Sequence, residues 1–226
     1  MWVWFKSGGV NPSFAERVEE RRELVAELRR AGIVDERVLW AMERVPRHAF
    51  VPGESSSEAY VDAPLPIGRG QTISQPWIVA RMTEALELGT GTRVLEIGTG
   101  CGYQTAVLAE LAHEVFTIEL EAELAIAARE RLERLGYTNV RFRIGDGSGG
   151  WPEAAPFGAV LAAAAPARIP PQLLEQLARG GRLCMPVGGD VRDQELALVH
   201  KLLDGTLARS SLGGVRFVPL RSKANS

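Results

Sequence analysis

Apolar residues along this chain change between two spacings, and the changes divide the chain into strands and helices. Short apolar runs, typical of strands buried on both faces of a parallel sheet, begin near residue 94. Helical spacing of apolar residues separates each run from the next. The strands predicted from these runs span residues 94–97, 113–119, 139–144, 157–164 and 182–187, and two further extended runs cover 195–203 and 215–220.

This alternation predicts an α/β fold with a doubly wound, mostly parallel seven-stranded sheet of the Rossmann-like type. Five β/α units are followed by a terminal hairpin, because Asp204-Gly205 between the last two runs is a turn signal. That hairpin contributes an antiparallel strand. A helix is predicted from Pro170 through Leu177, with Gly180-Gly181 ending it.

The first third of the chain has a different pattern, helical at first and then irregular. Apolar residues from Phe14 to Leu28 fall at helical spacing, and Gly32 follows as a C-cap. Asp35 predicts the N-cap of a second helix, which Pro46 ends. The following 47–52 is bracketed by prolines and predicted to be irregular, and 54–70 is predicted to be loop with brief extended pieces.

Composition narrows the class of protein. The chain has 226 residues, 46% of them apolar and 24% charged, and a net charge of −2, which argues against a large nucleic-acid footprint. Its two cysteines, Cys101 and Cys184, fit a reducing compartment, so a cytoplasmic location is expected. The apolar Met1–Phe5 start is too short for a signal sequence or a membrane span. No histidine or cysteine spacing predicts a metal site.

A glycine-rich turn joins the first strand of the sheet to a helix. Gly98, Gly100 and Gly102 occupy alternate positions, which differs from the spacing of the dinucleotide-binding motif. Glu96 lies two residues before the first glycine, where a carboxylate suits a cation or hydroxyl groups better than a pyrophosphate. The pattern resembles motif I of class I methyltransferases that use S-adenosylmethionine (SAM). We expect residues 76–226 to form the SAM-binding core.

Two acidic residues follow later strands of the same predicted sheet. Glu119 stands about twenty residues past the glycines, where doubly wound folds place the acid that accepts hydrogen bonds from ribose hydroxyls. Asp146 also lies at a strand's carboxyl end. Each residue also has an interpretation that involves no ligand. Glu119 could be an exposed glutamate that begins the next helix, and Asp146 a turn aspartate beside glycines. The residues predicted to bind the cofactor are Glu96, Gly98, Thr99, Gly100, Gly102, Glu119, Asp146 and Gly147.

Ser74 precedes Pro76 and a helical pattern, so its local chemistry favours a helix cap. No nucleophile elbow surrounds it. A wider comparison of motifs changes this interpretation, because the chain resembles the protein-L-isoaspartate O-methyltransferase family. The matching segments are Arg44-Val-Pro-Arg-His-Ala-Phe-Val-Pro, Leu65-Pro-Ile-Gly, Gly70-Gln-Thr-Ile-Ser-Gln-Pro, Val94-Leu-Glu-Ile-Gly-Thr-Gly, Gly102-Tyr-Gln, Gly145-Asp-Gly, Gly150-Trp-Pro, Ile169-Pro and Gly180-Gly-Arg-Leu.

The resemblance implies a protein repair reaction. Family members move a methyl group from SAM to the carboxylate of L-isoaspartyl residues and release S-adenosylhomocysteine. In that family the serine at the position of Ser74 is the active-site residue, which implies that Thr72, Ile73, Ser74 and Gln75 bind substrate. The extension formed by residues 1–75 is then expected to act as a lid over the substrate.

Three positions depart from the family pattern, and they leave alternatives open. Gly158 stands where relatives usually carry Asp, Ala163 where they carry Thr, and Val61 where an acidic residue is frequent. One alternative is another SAM methyltransferase acting on a small molecule or nucleic acid. A second is a SAM-binding homologue with impaired catalysis. The expected partners are isoaspartyl peptides and proteins, with a monomeric enzyme and no binding to nucleic acid or membrane.

Overall fold

Nine strands are present in the computed structural model, which describes residues 11–221. Their bounds are Leu65–Gly68 (β1), Gln71–Ile73 (β2), Arg93–Ile97 (β3), Glu114–Glu119 (β4), Val140–Ile144 (β5), Phe157–Ala162 (β6), Leu177–Val187 (β7), Gln194–Lys201 (β8) and Leu207–Val215 (β9). Strands β1 and β2 pair with each other as a small antiparallel hairpin. The other seven form one sheet, which confirms the predicted α/β class.

The order of strands in the sheet is β5-β4-β3-β6-β7-β8-β9. The first five strands in this order run parallel to one another, while β8 is antiparallel to both of its neighbours, β7 and β9. The chain order reverses between β3 and β6, and this switch point is where ligands bind in open α/β sheets, outside the carboxyl ends of the strands.

Six helices accompany the strands in the described part of the chain. They are Val18–Arg30 (α1), Glu36–Arg44 (α2), Pro76–Ala85 (α3), Tyr103–Leu111 (α4), Ala122–Arg134 (α5) and Pro171–Glu175 (α6). The signals that predicted the first two are confirmed: Gly32 follows α1 with a φ of +98°, and the Asp35 side chain accepts a hydrogen bond from the Arg37 amide at 2.9 Å. None of the helices in residues 11–221 is both long and apolar enough to cross a membrane.

The predicted helix from Pro170 to Leu177 is wrong in its second half. Helix α6 ends at Glu175, and β7 already begins at Leu177. Gly180 and Gly181 therefore lie inside a strand, where they accommodate a bulge opposite Phe157–Ala159 of β6. A Cβ on Gly181 would come within 2.8 Å of the Ala178 carbonyl oxygen, so these glycines permit the bulge instead of ending a helix.

Two other local predictions also need correction. The predicted strand 215–220 is not formed, since the last strand, β9, ends at Val215, and the described segment beyond it makes only an isolated parallel bridge between Pro219 and Ala165. The stretch 47–52, predicted to be irregular, contains a short 3₁₀ turn at Arg47–Phe50, since the flanking prolines lie outside the turn.

The N-terminal extension shares a core with the helices of the sheet. Leu28 and Met42 from α1 and α2 belong to the same buried apolar cluster as Tyr103 and Val107 from α4 and Leu132 from α5. The N-terminal extension therefore packs directly on helices α4 and α5. The apolar Met1–Phe5 start lies outside the described residues.

Candidate active site

A cavity of about 900 Å³ opens at the carboxyl ends of the parallel strands. This volume falls within the roughly 300–1,000 Å³ of cofactor and small-molecule sites. Its walls have three sources. We call Gly98, Gly100, Glu119 and Gly147 the cofactor wall, Thr72, Ser74 and Gln75 the peptide wall, and residues 216–221 the C-terminal strap.

The glycines of the cofactor wall leave room for a ligand against the backbone. Gly98 has a φ of +92° and Gly100 a φ of +54°, the left-handed region that suits glycine. A Cβ on Gly147 would lie 2.5 Å from the Cγ2 atom of Ile97, so a side chain there would collide with the cavity floor. The cavity thus depends on glycine at these positions, as the turn motif predicts.

Glu119 presents a nearly buried carboxylate to the cavity, with 8% of the residue exposed. One carboxylate oxygen accepts a hydrogen bond from the Gly100 amide at 2.8 Å, and the other accepts one from the Glu121 amide at 3.0 Å. Each carboxylate oxygen can accept a second hydrogen bond. The residue therefore ties the glycine turn to β4 and still has two acceptor positions for hydroxyl groups.

Glu96 and Thr99 lie behind the cofactor wall, outside the residues that line the cavity. Glu96 is fully buried, and its Oε2 atom accepts hydrogen bonds from the hydroxyls of Thr105 and Thr117, both at 2.6 Å. The Thr117 hydroxyl is also 2.6 Å from that of Thr99. Burial raises the pKa of Glu96 to about 7. Glu96 is thus connected to the glycine turn by hydrogen bonds that run through Thr117 to Thr99.

Gly102 and Asp146 are likewise absent from the cavity lining. Gly102 begins α4 with a φ of +91°, and a Cβ there would lie 3.0 Å from the Leu132 side chain, so its small size serves helix packing. Asp146 accepts a hydrogen bond from the Ser148 amide at 2.8 Å, which fits the turn role considered for it.

The peptide wall comes from the segment between β2 and α3. Thr72, Ser74 and Gln75 line the cavity, whereas Ile73 turns into the core and does not. The helix-cap interpretation of Ser74 is wrong, because Gln75 is the residue at the N-cap and its side chain makes no capping bond. Among the described residues, the Ser74 side chain has no hydrogen-bond partner, so its hydroxyl is available to a ligand.

Asp62 takes the capping role that Ser74 does not fill. Its Oδ1 atom accepts a hydrogen bond from the backbone amide of Trp77 in the first turn of α3, at 2.7 Å. Its Oδ2 atom accepts one from the side-chain amide of Gln75 at 2.8 Å. Sequence reasoning missed this role, because Asp62 is distant from α3 along the chain.

The C-terminal strap lines the cavity and was not predicted as a wall. Gln194 exchanges two hydrogen bonds with the backbone of Phe217, at 2.7 and 3.1 Å. Further along, the Ala165 backbone pairs with Val218 and Leu220. At the end of the strap, Arg221 forms an ion pair of 2.7 Å with Glu121, the residue before α5.

The three departures from the family pattern lie at different distances from the cavity. Ala163 lines it, and its Cβ atom lies 3.7 Å from the place a Cβ on Gly98 would take. Gly158 lies near the amino end of β6, where a Cβ would lie 3.1 Å from the Thr92 side chain. Val61 is exposed beside Asp62.

Comparisons with known proteins agree with this geometry. The model of the protein-L-isoaspartate(D-aspartate) O-methyltransferase family matches residues 19–225. The chain belongs to this family. A relative from a Polaromonas species, named protein-L-isoaspartate O-methyltransferase 2, is 50% identical over 206 residues, covering 90% of this chain and 98% of the relative. One from Nitrosospira multiformis, named protein-L-isoaspartate O-methyltransferase 1, is 57% identical over 184 residues, covering 81% and 78%.

Solved structures support the family assignment. One protein-L-isoaspartate O-methyltransferase superposes with a TM-score of 0.82 at 31% identity, covering 89% of this chain and 66% of its own. A second, from Plasmodium falciparum and described as a putative member in complex with S-adenosyl-L-homocysteine, has a TM-score of 0.77 at 25% identity, covering 90% and 99%.

The cavity also fits the family's cofactor. Open glycine backbone, a carboxylate with free acceptor positions and the apolar side chains of Ile97, Ile118 and Leu120 are brought together around one space. These groups suit the amino-acid, ribose and adenine parts of SAM. Within residues 11–221, no group of three or more His, Cys, Asp or Glu side chains is arranged to hold a metal ion.

Proposed function

We propose that this chain transfers the methyl group of SAM to the free carboxylate of an L-isoaspartyl residue in a peptide or damaged protein. The observation that carries the proposal is the position of Ser74, which lines the same cavity as the glycine turn and Glu119 and whose hydroxyl has no hydrogen-bond partner within residues 11–221. The family membership supports the substrate class, and the relative in complex with S-adenosyl-L-homocysteine supports the cofactor.

The cofactor wall binds SAM in this proposal. Glu119 accepts hydrogen bonds from the ribose hydroxyls, and the open backbone at Gly98, Gly100 and Gly147 lets the cofactor approach. Glu96, Thr99, Gly102 and Asp146 support this wall from behind without touching the cofactor. Bound SAM supplies a methyl group on a positively charged sulfur, which is the electrophile of the reaction.

The peptide wall presents the nucleophile. The free carboxylate of an isoaspartyl residue is an α-carboxyl group with a pKa of roughly 3.5, so it is ionised at neutral pH and needs no general base. The Ser74 hydroxyl donates a hydrogen bond to one carboxylate oxygen and leaves the other facing the methyl carbon. That oxygen forms the new bond while the carbon–sulfur bond breaks. A carboxylate and a sulfonium thereby become a neutral ester and a thioether, with no proton transferred.

Because charge disappears in this reaction, alignment and exclusion of water are the main sources of rate enhancement. The C-terminal strap covers one side of the cavity mouth, and its bonds to Gln194, Ala165 and Glu121 hold it there. We propose that the extension up to residue 75, which carries the peptide wall, acts as the lid on the other side, closing over the bound peptide.

The proposal also covers the oligomeric state of the protein, its location and its partners. We propose a monomer in the cytoplasm that binds neither nucleic acid nor membrane. The near-neutral net charge of −2 supports the absence of a nucleic-acid footprint. Cys101 and Cys184 are both free and buried, which is compatible with a reducing compartment.

The test is methyl transfer from labelled SAM to an isoaspartyl peptide and to its aspartyl twin, measured side by side. We expect the label to enter the isoaspartyl peptide only, because the site holds a carboxylate displaced by one bond along the backbone. Equal labelling of both peptides would indicate a broader carboxyl methyltransferase. SAM binding with neither peptide labelled would indicate a homologue with impaired catalysis, and Ala163→Thr would then be tested for recovery.

A further inference from the structure

Arg47 is a fully buried cation with no carboxylate hydrogen-bonded to it. Its Nε atom donates to the Ala59 carbonyl oxygen at 2.8 Å and its Nη2 atom approaches that of Ala63 at 3.4 Å. The guanidinium lies over the ring of Tyr103, 4.8 Å from the centroid. Its Nη1 atom has no hydrogen-bond partner among residues 11–221. Burying a charge is unfavourable unless hydrogen bonds to the guanidinium compensate for its lost hydration, and here one nitrogen lacks such a bond.

The two carbonyls that Arg47 contacts flank Asp62. Arg47 thus fastens both sides of the short 59–63 loop. The loop in turn holds the Asp62 carboxylate against α3, where it accepts from the Trp77 amide at 2.7 Å and from the Gln75 side chain at 2.8 Å. Both hydrogen-bond donors, Gln75 and Trp77, therefore lie within three residues of Ser74 along the chain.

We propose that Arg47 and Asp62 are positioning residues for Ser74, together forming a brace that fixes the turn from which its hydroxyl enters the cavity. Neither side chain lines the cavity, so the brace acts through the Trp77 amide and the Gln75 side chain and not directly on a ligand. The inference rests on the proposed function, because the placement of Ser74 affects rate only if Ser74 orients the substrate. Burial lowers the pKa of Arg47.

The chain offers a matched control for each member of the brace. Asp35 caps α2 as Asp62 caps α3, accepting a hydrogen bond from the Arg37 amide at 2.9 Å. Arg21 is buried like Arg47, donates only to backbone carbonyls and also has one buried nitrogen without a partner. Neither Asp35 nor Arg21 lines the cavity.

The experiment compares Asp62→Ala and Arg47→Met with Asp35→Ala and Arg21→Met. For each full-length protein we would measure the melting temperature, the affinity for S-adenosylhomocysteine, and turnover of an isoaspartyl peptide at saturating SAM. We expect all four variants to have a lower melting temperature than wild type. Only the brace variants should lose turnover, by about tenfold or more, with affinity for S-adenosylhomocysteine within about twofold of wild type.

Two further variants keep the test decisive. Asp62→Asn retains an oxygen that can accept from the Trp77 amide, and it should recover part of the turnover lost in Asp62→Ala. If Arg47→Met does not fold, Arg47→Lys replaces it, since lysine keeps the charge but cannot contact both carbonyls with a planar fork. Turnover in Asp62→Ala within twofold of wild type, or an equal loss in Asp35→Ala, would overturn the inference.

Amide hydrogen exchange separates this inference from the proposed function. The Trp77 amide should exchange faster in Asp62→Ala than in wild type without any substrate present, because its acceptor is gone. Wild-type protein that leaves the isoaspartyl peptide unmethylated would overturn the proposed function, and with it a catalytic role for the brace. An active wild type with unchanged Trp77 exchange and turnover in Asp62→Ala would overturn the brace alone.

Discussion

The cofactor wall of the cavity is made by the ends of adjacent parallel strands, whereas the peptide wall and the C-terminal strap come from segments distant in sequence. On the cofactor wall, backbone atoms and small residues form most of the surface, and the ladders of β3, β4 and β6 fix their positions. On the other side, single side chains such as Asp62 and Gln194 hold the segments in place.

This difference predicts how the two sides respond to substitution. A change on the cofactor wall should alter the affinity for SAM and its product, because that wall makes the cofactor contacts in the proposed function. A change at the peptide wall should alter turnover while leaving cofactor affinity almost unchanged. The effects of Glu119 and Ser74 substitutions on these two quantities should therefore be separable.

The largest effect on cofactor affinity is expected for Glu119→Ala. Hydrogen bonds to a charged acceptor contribute about 1.5–3 kcal/mol each, so loss of the first alone should weaken S-adenosylhomocysteine binding about 10- to 150-fold, and loss of both should weaken it further. Glu119→Gln keeps one acceptor oxygen and should bind with intermediate affinity. Calorimetry would measure both, with Glu123→Ala on the exposed face of α5 as the control. Unchanged affinity in Glu119→Ala would remove Glu119 from the ribose site.

A second prediction concerns the buried carboxyl group behind the cofactor wall. The pKa of Glu96 is about 7 in the folded protein, against the ordinary glutamate value of 4.5 in the unfolded chain. Between these values the folded state binds more protons than the unfolded state, so stability falls as pH rises through this window and changes no further above it. The slope from this group is at most about 1.4 kcal/mol per pH unit.

Glu96→Gln should remove that component of the pH dependence. Chemical unfolding of both proteins from pH 4.5 to 8 would give the difference in slope, whatever the absolute stability of the variant. Parallel curves for the two proteins would mean that Glu96 ionises in the folded protein at its ordinary pKa.

The smallest effect is expected at the end of the C-terminal strap. The Arg221–Glu121 ion pair has side chains 46% and 33% exposed, so it contributes roughly 0.2–1 kcal/mol. Arg221→Ala should therefore speed dissociation of S-adenosylhomocysteine about 1.4- to 5-fold, and the difference should shrink at high salt. Stopped-flow measurements would test this, with Arg209→Ala as an exposed ion-pair control outside the cavity. An undiminished difference at high salt would argue against the ion pair as the cause.

The parts of the molecule that could be predicted from the sequence are those determined locally. Apolar periodicity located β3 to β6. The turn motif placed Gly98 and Gly100 at the carboxyl end of β3, where both line the cavity with left-handed φ angles. Glu119 followed from its distance to these glycines. Local caps such as Asp35 could also be identified, because donor and acceptor are two residues apart.

The parts that could not be predicted depend on contacts between distant residues. Ser74 has the sequence context of a cap, but Asp62 reaches the same helix end from a separate loop. The apolar run 215–220 has a strand pattern, yet beyond Val215 it lines the cavity and is held by backbone hydrogen bonds between Ala165 and both Val218 and Leu220. Glu96 has the sequence position of a cofactor ligand, and only the packing around it shows that Thr105 and Thr117 donate to one of its carboxylate oxygens, while the other has no hydrogen-bond partner among the described residues.

The central claim is that the Ser74 hydroxyl orients the substrate carboxylate, and turnover by Ser74→Ala and Ser74→Asp at saturating SAM tests it most directly. Because Ser74 caps no helix, neither change should lower stability by the approximately 1 kcal/mol of a lost cap. We expect Ser74→Ala to turn over the isoaspartyl peptide more slowly than wild type, and Ser74→Asp to be slower still, since a second carboxylate repels the first. Wild-type turnover in Ser74→Asp would contradict the account.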